Sequence, residues 1–546
     1  MVSFDQLTVL IIEPHAGMRA SMHHVLSECG IVRIEHAVSA GTSIRPIKAK
    51  RFDLILCEYD LGEGQDGQQL LEDLRHNNLI TLSTIFFMVT AERSYEKVVS
   101  AAELAPADYI LKPFTTDAVR ARILRALERR TLFIPIYSLM EQDRLHEAVE
   151  MCLAREAEKN RYLFDFMRLR AELHVLLNEP AIAEPIYQFL FKTRAVAWAR
   201  LGLAKTLYMQ NKLDEAEELL KSLIDSNRNF LDAYDWLAKS YENNGKLPQA
   251  QAVLESATLI SPHGIGRLRR LGELAVMTGE PDIAERAFAQ VVNKTKYSEF
   301  KNPEDHVKLV RTLIEKGDTA QAALALRNLE RTKGDQNTWA ACSGLSASLL
   351  HAKNGEPDKA AAALAKAATA CRESVDTSVE VKLAVVEGCL ANSLEGNATE
   401  IMTEVMSNTL DRRAMAKARD IFEKAGKIEL IDDALKKSQQ RMVELISSGA
   451  EKAKQGDFKG AVALMAEAAE KLPNNPQVLF NAAVAALKCL DGLGWDGPLG
   501  DKARFYVERV RRLDPDNPRM TALTDMYQQI STKYGVKRPL SSLKPQ

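Results

Sequence analysis

Several polar side chains stand directly after apolar runs in the first part of the chain, and together they could handle a phosphoryl group. Glu58 follows the apolar run 54–57 and precedes an acidic, glycine-rich loop and a helical segment. This is the setting expected for a carboxylate that accepts a phosphoryl group. Glu13, Thr90 and Lys112 each stand at the end of another apolar run. Because such a carboxylate needs cations that shield the phosphoryl oxygens, the question is whether a glutamate at this position can do the chemistry.

Five short apolar runs alternate with segments of helical length, and they predict the elements that position these side chains. Three of the runs are apolar nearly throughout, as parallel strands covered on both faces are. The alternation predicts a doubly wound α/β sheet, whose functional groups gather at the carboxyl ends of the strands. The predicted strands are 8–12, 33–37, 53–57, 84–89 and 108–111.

The remainder of the chain, from residue 131, is rich in Ala, Leu, Glu and Lys, with apolar residues at helical spacing. Alanines recur 33 to 38 residues apart, with Gly or Asn five residues before most of them. This period predicts stacked helix pairs, in which Gly tolerates the positive φ of the turn and Ala lets two helices cross closely. The alanines are Ala148, Ala183, Ala216, Ala250, Ala284, Ala322 and Ala360, and the turn residues are Asn178, Asn211, Gly245, Gly279, Gly317 and Gly355.

The segment 233–262 resembles the tetratricopeptide repeat. Leu237, Ala238 and Tyr241 occupy the family's positions in the first helix of the repeat, and Gly245 occupies the turn. The resemblance implies an all-α solenoid of roughly nine or ten helix pairs. Stacked repeats form an extended concave surface that suits protein binding better than catalysis.

The segment before these repeats resembles a response-regulator receiver domain, which has the flavodoxin-like fold. The match lies in "VTAE", which contains Thr90, and in "YILKPF", which contains Tyr109 and Lys112. In a receiver, an aspartate after the third strand takes the phosphoryl group, acids after the first strand hold Mg²⁺, and Thr and Lys side chains contact the bound group. The resemblance therefore implies that Glu58 holds the phosphoacceptor position, with switch or phosphate-contact roles for Thr90, Lys112 and Tyr109.

Two acidic positions of the receiver pattern are changed in this chain. Pro14 stands where the family's second acid contacts the metal, and Glu58 replaces the phosphoacceptor aspartate. A glutamate is one methylene longer, so its carboxylate can reach into the phosphoryl space and accept hydrogen bonds from Lys112 and Thr90. We therefore expect a pseudo-receiver that is locked or independent of phosphorylation. The alternative is a working receiver that is phosphorylated on Glu58 or on Asp60.

The same changes weaken the expected metal site. Glu13 and Glu58 remain as oxygen ligands, but Mg²⁺ demands a near-octahedral set of oxygens. We expect weak Mg²⁺ binding, a site that can stay unoccupied, and no required cofactor. Because no dinucleotide, phosphate-loop, metalloprotease or nucleophile-elbow motif occurs in a supporting context, we also expect no enzymatic activity.

The composition argues against several other classes. Lys and Arg total 72 and Asp and Glu total 74, so the net charge of −2 gives no field that would attract nucleic acid or an anionic membrane. No apolar run reaches the ~20 residues that cross a membrane, and no signal peptide opens the chain. The seven cysteines are scattered without CxxC spacing, as apolar fillers in a reducing compartment are. We expect a cytoplasmic protein without membrane insertion.

The predicted organisation has five segments. No Gly- or Ser-rich linker follows Thr116, so the last helix of the receiver should pass directly into the solenoid. A loop is predicted at 490–502. The segments are a receiver-like domain at 5–130, tetratricopeptide repeats at 131–375, degenerate helical repeats at 376–441, C-terminal tetratricopeptide repeats at 442–534 and a flexible tail at 535–546.

The combination of both parts resembles receiver–tetratricopeptide fusion regulators of the VieB type. It implies two-component signalling by protein–protein contact, with a histidine kinase or a signalling effector as the partner of the solenoid or of the receiver. A homodimer through the receiver is compatible with the resemblance. Two alternatives stay open: a phosphorylatable receiver that switches the solenoid, and an assembly scaffold whose receiver only docks.

Overall fold

The protein divides into two compact units in this computed structural model, with the division between Asp305 and His306. The predicted segment boundaries inside the helical part stay predictions, and most of the predicted tail lies outside the described residues. The structure describes residues 4–62, 66–91, 107–142, 144–194, 196–262, 264–296, 298, 300–332, 336–374, 376–408, 412–514 and 517–536.

A five-stranded parallel sheet opens the N-terminal unit, in agreement with the sequence prediction. Its strand order is β2-β1-β3-β4-β5, which is the doubly wound topology. The third and fourth strands begin and end one residue later than predicted, so that Glu58 and Thr90 are the last strand residues. The elements are β1 Thr8–Ile12, α1 Ala16–Glu28, β2 Arg33–Ala37, α2 Ala40–Ala49, β3 Leu54–Glu58, α3 Gly67–His76, β4 Ile85–Thr90 and β5 Asp108–Leu111, preceded by a short 3-10 turn, Phe4–Gln6.

Apolar side chains cover both faces of this sheet, which explains why its central strands are apolar nearly throughout. In β1, Val9 and Ile11 pack into a core that includes residues of α1. Leu10 and Ile12 pack into a second core on the other face, with residues of α2 and α3. The polar residues that follow the strands are thus held at one edge of a rigid layer.

The helix after β5 belongs both to the receiver and to the first repeat. It is α4, Thr116–Glu141, and it continues through Pro135. Ile123 packs into the core of the sheet, whereas Phe133 and Ile136 pack into the core of the first helix pair. The predicted direct passage from receiver to solenoid is therefore confirmed.

Pairs of helices fill the rest of the N-terminal unit, and the repeat pattern of the sequence agrees with them and with the first helices of the C-terminal unit. All six predicted turn residues have positive φ, between +59° and +85°, and all seven repeat alanines are 0% exposed. The helices are α5 Leu145–Ala157, α6 Leu163–Leu176, α7 Pro180–Arg194, α8 Ala197–Met209, α9 Leu213–Ser226, α10 Leu231–Asn243, α11 Leu247–Ile260, α12 Ile265–Thr278 and α13 Pro281–Thr295, followed by α14 Pro303–Lys316, in which the two units divide.

Helices also form the C-terminal unit, and one sequence prediction is wrong there. The predicted loop at 490–502 is mostly helical, because the helix before it continues to Leu493 and the next begins at Gly497. Buried Leu490 anchors the first of these helices, and Asp496 caps the second by accepting the N–H of Leu499 at 3.1 Å. The helices are α15 Thr319–Arg331, α16 Gln336–Lys353, α17 Pro357–Glu373, α18 Val379–Ala391, α19 Glu395–Asn408, α20 Arg412–Lys424, α21 Ile428–Lys454, α22 Phe458–Lys471, α23 Pro476–Leu493, α24 Gly497–Leu513 and α25 Met520–Lys533.

The structure also describes the state of the cysteines and the apolar character of the helices. All seven cysteines are free and buried, in agreement with their predicted place as apolar fillers. Among the residues that the structure describes, no helix has both the length and the apolar character needed to cross a membrane.

Candidate functional site

The carboxyl ends of four strands bring the predicted site residues to one edge of the sheet. Glu13 follows β1, Glu58 ends β3, Thr90 ends β4 and Lys112 follows β5. Backbone hydrogen bonds continue past the strand ends and fix these positions. The N–H of Lys112 donates to the carbonyl of Thr90 at 2.8 Å, and the N–H of Glu13 donates to the carbonyl of Ala37 at 3.0 Å.

Lys112 joins the two glutamates of the site. Its ammonium group donates to Glu13 Oε2 at 2.8 Å and also to Glu58 Oε2. The three side chains are well shielded from solvent, with 12% exposure for Lys112, 0% for Glu13 and 10% for Glu58. One ammonium group thus donates charge-assisted hydrogen bonds to two buried carboxylates.

Backbone amides hold the second oxygen of each glutamate. Glu58 Oε1 accepts the N–H of Tyr59 at 2.9 Å, and Glu13 Oε1 accepts the N–H of His15 at 2.9 Å. Gly67, the first residue of α3, lies so close that a Cβ there would overlap the carbonyl oxygen of Glu58. The start of α3 therefore needs glycine, and it packs directly on the backbone that carries Glu58.

Burial and charge shift the pKa values of this cluster. Burial raises the pKa of Glu58 above its ordinary value, while Lys112 and the amide of Asp60 oppose the rise. Burial would lower the pKa of Lys112, but its hydrogen bonds to Glu13 and Glu58 and the charges of both carboxylates outweigh this effect and raise it. The lysine therefore stays charged far into the alkaline range.

The residues at this edge do not fit Mg²⁺ in the arrangement that they adopt. The ammonium group of Lys112 takes the position between the two carboxylates, and Pro14 supplies no side-chain oxygen. The backbone oxygens of Glu13 and Pro14 both accept hydrogen bonds from Arg19, at 2.6 and 3.1 Å. Within the described ranges, no group of three or more His, Cys, Asp or Glu side chains is placed to hold a metal ion.

The other predicted site residues lie in different environments. Thr90 is buried at the end of β4, and Tyr109 is half-buried on the core beside α3. Asp60 is exposed, and its carboxylate accepts the N–H of Gly62 at 3.0 Å. Asp60 therefore stabilises the turn after β3, whereas Glu58 is the carboxylate that meets Lys112.

One acidic residue, Asp53, lies at the amino-terminal ends of the strands and was not identified as important from the sequence. Asp53 Oδ2 accepts the backbone N–H of Thr8 at 2.9 Å and its hydroxyl at 2.8 Å. Asp53 Oδ1 accepts a hydrogen bond from Arg130 of α4 at 2.8 Å. Burial would raise the pKa of Asp53, but these bonds outweigh burial and lower it. Asp53 thereby joins the starts of β1 and β3 to α4, and an acid inside an apolar run is the signal that could have revealed it.

Two family models match the chain, one in the α/β domain and one among the helix pairs. The model for the response regulator receiver domain matches residues 9–124, and a tetratricopeptide repeat model matches residues 197–221. The chain therefore contains a receiver domain, and tetratricopeptide repeat structure follows it. Both parts agree with the sheet and the helix pairs described above.

Similar proteins cover the two parts separately. The chemotaxis protein CheY-3 of Vibrio cholerae is 25% identical over 123 residues, which are 22% of this chain and 93% of that protein. The chemotaxis protein CheY of Pseudomonas aeruginosa is 24% identical over 123 residues, 22% of this chain and 98% of that protein. The crystal structure of the C-terminal part of a TPR repeat-containing protein from Cytophaga hutchinsonii is 17% identical, with a TM-score of 0.35, and covers 43% of this chain and 94% of that chain.

Proposed function

We propose that this protein is a non-enzymatic two-component signalling regulator whose receiver works without phosphorylation and whose repeats bind a protein partner. A receiver domain joined to tetratricopeptide repeats supports signalling by protein–protein contact. The finer parts of the proposal are the locked state of the receiver and a histidine kinase or signalling effector as partner. The resemblance to regulators of the VieB type, a cytoplasmic location and a receiver homodimer stay predictions.

The observation that carries the locked state is the contact of Lys112 with both Glu13 and Glu58. In a phosphorylated receiver, the lysine contacts the phosphoryl group. Here the longer side chain of Glu58 brings a carboxylate to the lysine without phosphorylation. The carboxylate has one negative charge, whereas a phosphoryl group has nearly two, so the mimicry is partial.

The same contact argues against the phosphorylatable alternatives. Phosphorylation of Glu58 would require its carboxylate to leave Lys112. It would then attack a phosphoryl group at an edge where Pro14 supplies no side-chain oxygen for the Mg²⁺ that normally shields the phosphoryl oxygens. Asp60 is exposed in a turn and binds Gly62, so it has no cation of the site beside it in the described contacts. We therefore propose weak Mg²⁺ binding and no cofactor requirement.

Affinity capture from the native cell tests this function. The baits are the wild-type chain, Glu58→Ala, and a variant that restores the receiver acids, Glu58→Asp with Pro14→Asp. The wild type should retain the same signalling protein with or without acetyl phosphate and Mg²⁺, and Glu58→Ala should retain less of it. The restored variant should become sensitive to acetyl phosphate. Retention by the wild type only after acetyl phosphate treatment would contradict the proposal.

A further inference from the structure

Two histidines of the receiver lie with their imidazole rings side by side at its surface. His23 belongs to α1 and His36 belongs to β2. His23 Nδ1 lies 3.0 Å from His36 Nε2, and the stacked rings have their centroids 5.0 Å apart. Both residues are exposed, so a small ion can reach the pair from solvent.

The packing of α1 against the sheet brings the two rings together. Met22, the neighbour of His23 on α1, is buried in the core that covers one face of the sheet. Ile34 of β2 packs against the same core, and His36, two residues further along the strand, points to the same face. Because both histidines belong to regular elements that this core fixes, little rearrangement is needed to hold a ligand between them.

The distance between the two nitrogens fits a pair of ligands on one metal ion. Neutral imidazole is the commonest metal ligand among protein side chains, and Zn–N bonds of ~2.0–2.1 Å place two adjacent ligand nitrogens about 3 Å apart. Each ring can carry its proton on the outer nitrogen, which leaves both facing lone pairs for a cation. Partial burial and the charges of His23 and Arg19 lower the pKa of His36, which favours its neutral form.

We propose that His23 and His36 form a surface site for a divalent transition-metal ion of the Zn²⁺ type. Since no set of three or more His, Cys, Asp or Glu side chains is placed to hold a metal in the part of the chain that the structure describes, water fills the other positions on the ion. Imidazole suits Zn²⁺, Ni²⁺ and Cu²⁺, whereas Mg²⁺ takes oxygen ligands. The site therefore differs from the glutamates at the carboxyl ends of the strands, and it does not depend on the proposed function.

A bound ion would link α1 to the edge of the sheet. In the described sheet, β2 is the outermost strand and pairs with β1. On the other side of the link, α1 carries Arg19, which donates to the backbone oxygens of Glu13 and Pro14. A ligand that binds only the folded state stabilises it, so the ion should slow local opening of both α1 and β2.

Calorimetric titration of the full-length, untagged chain with ZnCl₂ tests the site. The wild type should bind Zn²⁺, and His23→Gln and His36→Gln should each bind it at least about tenfold more weakly, since losing a group that only orients a metal ligand already costs that much. The matched control is His24→Gln, because His24 is exposed beside the pair and lies 3.3 Å from Glu28. This variant should bind Zn²⁺ as the wild type does, and equal affinity in all four chains would overturn the proposal.

Labelling of the wild-type chain with diethyl pyrocarbonate gives a second test that needs no variant. This reagent acylates neutral imidazole nitrogens, and mass spectrometry of peptides reads each histidine separately. Zn²⁺ should slow the labelling of His23 and His36 and leave that of His24 unchanged, whereas Mg²⁺ should protect none of them. Zn²⁺ should also slow amide exchange in α1 and β2. Labelling of His23 and His36 that Zn²⁺ does not slow would show a hydrogen-bonded pair only and would overturn the metal site.

Discussion

Lys112 lies 2.8 Å from Glu13, although 99 residues separate them in the sequence. The same ammonium group also donates to Glu58. Glu13 follows β1 and Glu58 ends β3, and without the lysine both would be buried carboxylates that lack a cation. This bridge is the feature on which the proposed phosphorylation-independent state depends.

Removing the cation should destabilise the receiver and make it sensitive to pH. We expect Lys112→Gln to cost about 3–5 kcal/mol near pH 7, because it leaves buried charges unpaired. The pKa of Glu58 should rise further, since Lys112 no longer opposes burial. The folded variant would then bind protons more readily than the unfolded chain, so its stability should increase as pH falls through the raised pKa of Glu58 towards the ordinary value of about 4.3.

Local opening free energies of β1 and β3, from native-state hydrogen exchange at several pH values, measure this effect. Lys50→Gln is the control, because Lys50 pairs with Glu35 on the surface and should cost at most about 1 kcal/mol. Adding Glu58→Gln to Lys112→Gln should restore part of the stability. A Lys112→Gln variant as stable as the wild type at pH 7 would show that the bridge contributes nothing.

The amine of Lys112 should react slowly with acylating reagents. Only the neutral amine is a nucleophile, and the pKa of Lys112 is raised above its ordinary value. We expect acetic anhydride at pH 8 to label Lys112 more slowly than Lys50, which is exposed at the surface. Labelling of Lys112 in Glu58→Ala should be faster. Mass spectrometry of peptides gives both rates, and equal rates for the two lysines would contradict the bridge.

Asp53 should stabilise the junction of receiver and repeats at neutral pH. Since its folded pKa is lowered, its contribution is present above the ordinary pKa of about 3.9 and is lost as pH falls through the folded value. We expect Asp53→Asn to cost about 1–3 kcal/mol at pH 7, measured by hydrogen exchange in β1 and β3. Asp165→Asn is the control, because its pair with Arg129 is more exposed. A cost that persists in acid would contradict the ionic origin.

The repeat turns should tolerate only residues that accept a left-handed backbone. Gly245 has φ +71°, and a Cβ there would meet no atom within 4 Å, so Gly245→Ala tests backbone strain alone. We expect a loss of about 1–2 kcal/mol, seen in the thermal unfolding of the N-terminal unit. Gly266 lies in α12 with equal space around a Cβ and without positive φ, so Gly266→Ala should stabilise by up to about 1 kcal/mol. The same sign for both variants would contradict this account.

Much of the fold could be predicted from the sequence because its signals are local. Three of the strands are apolar nearly throughout, and the turns repeat Gly or Asn at a regular period, so neither signal depends on distant contacts. The strand ends also predicted that Glu13, Glu58, Thr90 and Lys112 would gather at one edge. The helical segment at 490–502 was missed because its Gly and Asp content favours a loop, whereas packing of Leu490 overrides that preference.

The remaining features depend on side-chain partners that are far apart in the chain. Arg130 and Asp53 are 77 residues apart, and Phe300 reaches a receiver core that begins with β1. Neither contact has a local sequence pattern, because a charged or aromatic side chain fits solvent, a neighbour or a distant partner equally well. The pairing of Lys112 with Glu58 was expected from the length of the glutamate side chain. The second hydrogen bond of Lys112, to Glu13, was not expected.

Phosphoryl transfer tests the central claim most directly. The full-length chain is incubated with Mg²⁺ and a ³²P-phosphorylated histidine kinase domain, beside the Glu58→Asp, Pro14→Asp variant as the phosphorylatable control. If Lys112 and Glu58 lock the receiver, the wild type should take up less than about one tenth of the label of this control, since it lacks the acids that the reaction requires. Stoichiometric labelling of the wild type that disappears in Glu58→Gln would contradict the account.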